Sequence, residues 1–65
     1  MYISQRTLKR MLKDAGAERI SGDAAKEFQV YMNKFGFAMA QKAVTLSKHA
    51  KRKTVNGDDI KLASS

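Results

Sequence analysis

The chain has no cysteine, no proline and no tryptophan, and only one histidine among its 65 residues. Without cysteine there can be no disulfide bonds, and a single histidine cannot supply the usual structural zinc ligand sets, so we expect no metal site and no cofactor. A chain this short hides only about 60% of the surface that it exposes when unfolded. Self-association is the remaining route to stability.

Long apolar runs are also missing. The first ten residues are charged and lack the apolar centre of a signal peptide, and no stretch approaches the roughly 20 apolar residues of a membrane span. We therefore expect a soluble, cytoplasmic protein with no membrane partner. No linker, repeat or low-complexity tract interrupts the sequence, so residues 1–65 are interpreted as one domain.

Acidic residues are few: six Asp and Glu stand against 13 Lys and Arg, which leaves a net charge of +7. Such a field attracts polyanions, which makes nucleic acid, ribosomal RNA and anionic membranes the partner classes to weigh. Charge alone does not choose among them. The lone His49 has no second ligand or nucleophile nearby in sequence, so we predict no catalytic residue and no small-molecule substrate.

Apolar residues recur every three or four positions in three segments separated by two short loops. Residues 4–14 predict a short amphipathic helix that Gly16 ends. The second segment starts after Ser21, a favourable N-cap, and its pattern continues to about Ala50. The third starts at the N-cap Asn56 and has room for about two turns. The predicted fold class is all-α, with a short, a long and a short helix.

The long central helix carries apolar residues on two faces. At about 1.5 Å per residue it extends roughly 42 to 45 Å, which two short helices of the same chain cannot cover. The remaining apolar surface must meet another protein surface, and a second copy is the simplest partner. We therefore expect an obligate homodimer whose long helices cross near Gly36, where glycine permits a close approach.

Residues 13–21 (KDAGAERIS) and 48–55 (KHAKRKTV), at this separation and in this helix order, resemble archaeal histones and their bacterial relatives. The similarity covers essentially the whole chain. It implies the histone fold, in which two subunits form a handshake dimer and the first loop of one lies beside the second loop of the other. It also implies an architectural protein of the chromosome or nucleoid, which binds double-stranded DNA with little sequence preference and bends or compacts it.

The resemblance assigns roles to individual residues. Arg19 would enter the minor groove, steadied by Thr54 of the partner subunit, while lysines of the second loop and basic residues of the first helix would contact phosphates. Arg52 would form an internal salt bridge with Asp59 and be chiefly structural. The DNA-binding residues that we predict are Arg10, Lys13, Arg19, Lys51, Arg52, Lys53 and Thr54.

A contact between dimers is implied at Leu46, His49, Asp59 and Leu62. The third helix is shorter than in the familiar DNA-wrapping histones, so a closed tetramer is expected in place of a continuous array of dimers. Phe37 stands where a polar residue is more usual, and it would serve either a surface between dimers or the dimer core.

An alternative function is a histone-fold interaction module that pairs with a different chain to recruit transcription machinery. The two apolar faces of the central helix allow this as well. Membrane-surface binding is disfavoured because the cations are spread over a helix and two loops and do not form one amphipathic stripe.

Overall fold

The computed structural model describes residues 2–65, which form three helices and, over that range, no strand. The helices are α1 (Gln5–Asp14), α2 (Gly22–His49) and α3 (Gly57–Ala63). The all-α prediction with its short, long and short helices is confirmed. Among the described residues, none of these helices combines the length and apolar character needed to cross a membrane.

The chain forms two compact units, Met1–Lys34 and Phe35–Ser65, and the division falls inside α2. In the first unit the buried apolar residues are Leu8 and Ala25; in the second they are Ala43 and Ala63. Leu8 is the one large side chain in the described part of the chain that is fully buried. Because alanine buries little apolar area, each unit on its own has a very small core.

Each helix starts at a side chain that accepts a hydrogen bond from a free backbone amide. The hydroxyl of Ser21 accepts a hydrogen bond from the Ala24 N–H at 3.1 Å, and Ser4 caps α1 in the same way. Asn56 caps α3 and forms a reciprocal capping box with Asp59. The predicted N-caps Ser21 and Asn56 are therefore confirmed, and such caps satisfy amides that have no partner within the helix.

The end of α1 is a Schellman motif, in which two amides beyond the helix turn back to its last carbonyls. The Gly16 N–H donates to the Lys13 carbonyl and the Ala17 N–H donates to the Leu12 carbonyl, each at 3.0 Å. Gly16 has φ +114°, a conformation that glycine adopts without steric cost. The predicted stop at Gly16 is confirmed.

The end of α2 repeats this motif with a different residue at the critical position. The Lys51 N–H donates to the Lys48 carbonyl and the Arg52 N–H to the Ser47 carbonyl, both at 2.9 Å. Lys51 has φ 58°, and within residues 2–65 it is the one non-glycine residue with positive φ. α2 therefore ends at His49, one residue before the predicted Ala50, because the turn begins there.

A buried asparagine in α2 holds the segment that precedes α1. The Asn33 side-chain oxygen accepts hydrogen bonds from the backbone N–H groups of Tyr2 and Ile3, at 2.7 and 2.8 Å. The Asn33 amide nitrogen donates to the carbonyls of Ile3 and Gln29, and the Gln29 side chain also donates to the Ile3 carbonyl. These bonds attach the start of α1 to the first half of α2.

Asn33→Leu should release this segment. Leucine has a similar size but leaves the amides of Tyr2 and Ile3 without their acceptor, so we expect a loss of about 1–3 kcal/mol in unfolding free energy. Thermal unfolding and hydrogen exchange at these two amides measure the effect. Asn33→Asp keeps the accepting oxygen and should preserve slow exchange at Tyr2 and Ile3; fast exchange in both variants would contradict this role of the oxygen.

Candidate nucleic-acid interface

One side of α1 is basic and exposed to solvent. Leu8 is buried and Leu12 is half-buried, whereas the basic residues of this helix all lie on its exposed side. The predicted contact residues Arg10 and Lys13 belong to this set, together with Arg6 and Lys9. The helix therefore presents a row of cations opposite its buried leucine.

The first loop, residues 15–21, presents one further cation. Arg19 is exposed, while its neighbour Ile20 is half-buried and so anchors the loop beside it. The Arg19 guanidinium forms no hydrogen bond or ion pair with the described residues. It is thus available to an external anion.

The second loop, residues 50–56, is organised by a bidentate salt bridge. The two terminal nitrogens of Arg52 donate to the two carboxylate oxygens of Asp59, at 2.9 and 2.7 Å. Arg52 also donates to the Thr54 carbonyl at 2.9 Å, and the Asn56 N–H donates to the Asp59 carboxylate at 2.9 Å. The loop is therefore tied at two points to the start of α3.

The electrostatics of this pair follow from its hydrogen bonds. The hydrogen bond from Arg52, followed by the backbone hydrogen bond from Asn56, lowers the pKa of Asp59 to about 2. The same hydrogen bond with Asp59 raises the pKa of Arg52 above its ordinary value. Asp59 is only 3% exposed, so its charge is compensated by Arg52 and not by solvent.

The salt bridge changes the balance of cations in the second loop. Arg52 is half-buried and its charge is neutralised by Asp59, whereas Lys51 and Lys53 are exposed. Thr54 is exposed too, and its carbonyl accepts from Arg52. Of the four predicted DNA-binding residues in this loop, the lysines are the ones whose charge remains uncompensated.

The four residues of the predicted contact between dimers do not share one environment. Leu46 and Leu62 line an apolar groove of about 830 Å³ between the second half of α2 and α3. His49 lines a separate shallow pocket with Thr45 and Lys48. The carboxylate of Asp59 is buried against Arg52. The structure thus brings together the two leucines only.

A second exposed surface is apolar and belongs to α2. Tyr31 is 64% exposed and Phe35, one helical turn later, is 59% exposed. Phe37 and Val44 are exposed as well. A monomeric protein rarely leaves so many large apolar side chains of one helix in water, which is typical of a surface that contacts another protein.

Sequence reasoning missed two features. The backbone of Lys51 gave no signal because a helix end in this conformation is ordinarily marked by glycine or asparagine. Asn33 gave only a faint one: with Gln29 it places two amide side chains four residues apart on an otherwise apolar helix. Its hydrogen-bond partners lie some 30 residues away in sequence, beyond the reach of local patterns.

The helix order, the two Schellman loops and the exposed cations define the histone-fold class of DNA-binding proteins. A sequence profile of the family described as histone-like transcription factor (CBF/NF-Y) and archaeal histone matches residues 1–63. The archaeal histone HAN1 of Thermococcus zilligii, in its A chain, is 43% identical over 54 residues, which cover 83% of this chain and 81% of that protein. Probable archaeal histone 3 of Methanocaldococcus jannaschii is 48% identical over 54 residues, with the same coverage.

The chain belongs to this family of archaeal histones and histone-like transcription factors. Both relatives are similar to it over more than four fifths of their length, and both are described as histones. The prediction of a DNA-binding architectural histone is thereby confirmed, and the alternative of a transcription-factor-like interaction module is not favoured.

Proposed function

We propose that the chain forms a homodimer that binds double-stranded DNA with little sequence preference and bends or compacts it on the chromosome. The observation that carries this proposal is the set of exposed cations on α1 and in both loops, whose side chains have no hydrogen-bond or ion-pair partner among residues 2–65. Free cations on helices and tight turns suit the phosphates of a duplex. The proposed set is Arg10, Lys13, Arg19, Lys51 and Lys53.

The small core of the single chain supports dimerisation. With Leu8 as the one fully buried large side chain in the described range, the apolar area removed from water is small for a stable domain. A handshake dimer would cover Tyr31 and Phe35 of α2, which are exposed in the single chain. In that dimer, the first loop of one protomer would join the second loop of its partner in a shared DNA contact, with Arg19 supported by Thr54 of the partner subunit.

Arg52 takes a structural role in this proposal. Its guanidinium is engaged by Asp59 and by the Thr54 carbonyl, so it shapes the second loop and leaves the phosphate contacts to Lys51 and Lys53. Three DNA contacts per dimer follow, one at the paired first helices and one at each pair of loops. A duplex that follows all three would bend, with an energy that depends on its deformability.

We further propose that dimers associate into tetramers through the apolar groove that Leu46 and Leu62 line. Leu62 is 62% exposed, so covering it removes apolar area from water. His49 is exposed on the same half of α2 and would contribute at the edge of this contact. Asp59 would act indirectly, because its carboxylate is bound to Arg52.

Binding to unrelated duplexes tests the proposed function. We expect affinities that agree within a few-fold among random sequences and that fall steeply with salt, because each phosphate contact releases counterions with a slope near −0.9 in log K against log salt. Arg19→Ala should weaken binding on the order of tenfold. Lys61→Ala removes an exposed cation of α3 outside the proposed set and should have a much smaller effect. Strong preference for one defined sequence at physiological salt would contradict an architectural role.

A further inference from the structure

The two loops of this chain begin with the same hydrogen-bonded turn but place different residues at its left-handed position. In the first loop this residue is Gly16, with φ +114°; in the second it is Lys51, with φ 58°. A side chain in this conformation is sterically disfavoured because its Cβ approaches the following carbonyl oxygen. Glycine avoids that conflict, and the chain uses glycine in the first loop.

Nothing inside the described chain compensates for the lysine. The Lys51 side chain is exposed and forms no hydrogen bond or ion pair with any residue from 2 to 65. A cation near a helix C-terminus interacts favourably with the helix dipole, but Lys48 and His49 already occupy the last turn of α2. The strained backbone therefore has no counterpart in the stability of the folded protomer.

The charge of Lys51 matters more than the composition of the loop suggests. Residues 50–56 contain three basic side chains, Lys51, Arg52 and Lys53. Arg52 is neutralised by Asp59 at 2.7 Å, so Lys51 supplies half of the uncompensated positive charge of this loop. With glycine at position 51, the second loop would offer a phosphate only Lys53.

We propose that Lys51 is a phosphate-contacting residue and that its left-handed backbone is retained because it serves DNA binding at the expense of stability. Strained residues of this kind are typical of functional sites. The proposal rests on the proposed DNA-binding function. It deepens that function by assigning to one residue opposite effects on folding and on binding.

Lys51→Gly and Lys51→Ala separate the two effects. Lys51→Gly removes both the charge and the strain, so its melting temperature should rise by about 2–5 °C. Lys51→Ala removes the charge but keeps a Cβ at positive φ, so its melting temperature should stay within about 2 °C of wild type. Both variants should bind a random-sequence duplex on the order of tenfold more weakly at about 0.1 M salt, and the slope of log K against log salt should drop by about 1.8 per dimer.

Two further variants serve as controls. Gly16→Ala introduces the same strain into the first loop, where no atom lies within 4 Å of the new Cβ; it should lower the melting temperature by about 4–8 °C and leave the salt slope unchanged. Lys51→Arg keeps the charge and should bind within about twofold of wild type.

Wild-type affinity and salt slope in Lys51→Gly would overturn the assignment of Lys51, whatever its melting temperature. A fall in the melting temperature of Lys51→Gly would overturn the claim of strain. If the wild-type protein itself failed to bind duplex DNA with a steep salt dependence, the proposed function would fail, and this outcome is distinct from the other two.

Discussion

Replacing Gly36 with leucine should dissociate the dimer and leave most of the chain unfolded at micromolar concentration. Within one chain a side chain at this position meets no atom within 4 Å, and leucine is favoured over glycine inside a helix by nearly 1 kcal/mol. An isolated protomer would therefore become more stable. In the proposed dimer the two α2 helices approach closely at Gly36, and a leucine there would force them apart.

The sign of the change is what makes this variant informative. Light scattering gives the mass, and thermal unfolding at several protein concentrations shows whether melting is coupled to association. Gly22→Leu is the matched control, because Gly22 is also a helical glycine with open space around it. It should remain dimeric. A Gly36→Leu protein that is dimeric and melts above wild type would show that the helices do not cross at this residue.

Asp59→Asn should lower the melting temperature by roughly 5–10 °C and weaken DNA binding as well. The Asp59 carboxylate accepts three hydrogen bonds, two from Arg52 and one from the Asn56 amide. The neutral amide cannot accept them all, and it leaves the Arg52 charge uncompensated beside a buried site. Because the pair ties the second loop to α3, Lys51 and Lys53 would no longer be held in place.

Asp58→Asn is the control for this substitution. Asp58 is the preceding carboxylate of the same helical turn and is exposed, so its replacement removes the same charge without breaking the bidentate pair. We expect a much smaller change in melting temperature than for Asp59→Asn. Equal effects of the two substitutions would show that net charge, and not the salt bridge, determines the stability of the loop.

The pH dependence of unfolding follows from the same pair. The pKa of Asp59 is lowered to about 2 in the folded chain, whereas an aspartate in an unfolded chain titrates near pH 4. The folded state is therefore favoured by the ionised carboxylate above about pH 4, and this contribution is lost as the pH falls toward 2. Urea denaturation of wild type and Asp59→Asn between pH 2 and pH 5 should show a steeper loss in wild type.

The helices and their N-caps could be predicted from sequence because their signals are local. Ser21 and Asn56 each precede a periodic apolar segment, and Gly16 follows one. The pairing of Arg52 with Asp59 came from the family resemblance, and the structure places these residues in direct contact. Seven positions separate them, and composition alone offers several other acidic partners.

The remaining features depend on contacts that local sequence does not encode. Asn33 is buried because the segment before α1 folds back to it, and a single asparagine within a helix carries no mark of that contact. The conformation of Lys51 is imposed by two hydrogen bonds that close the turn after α2. Both cases show tertiary or turn geometry overriding the preference of the individual residue.

The near absence of large buried side chains within one protomer has a consequence for the living cell. If a protomer completes its interior only by pairing, the folded fraction depends on how many copies are made. A roughly tenfold fall in expression would then remove more than about nine tenths of the functional protein, since the scarce copies would stay unpaired and be open to proteolysis. Supply of the chain would thus act as a steep control on how much of the genome it covers.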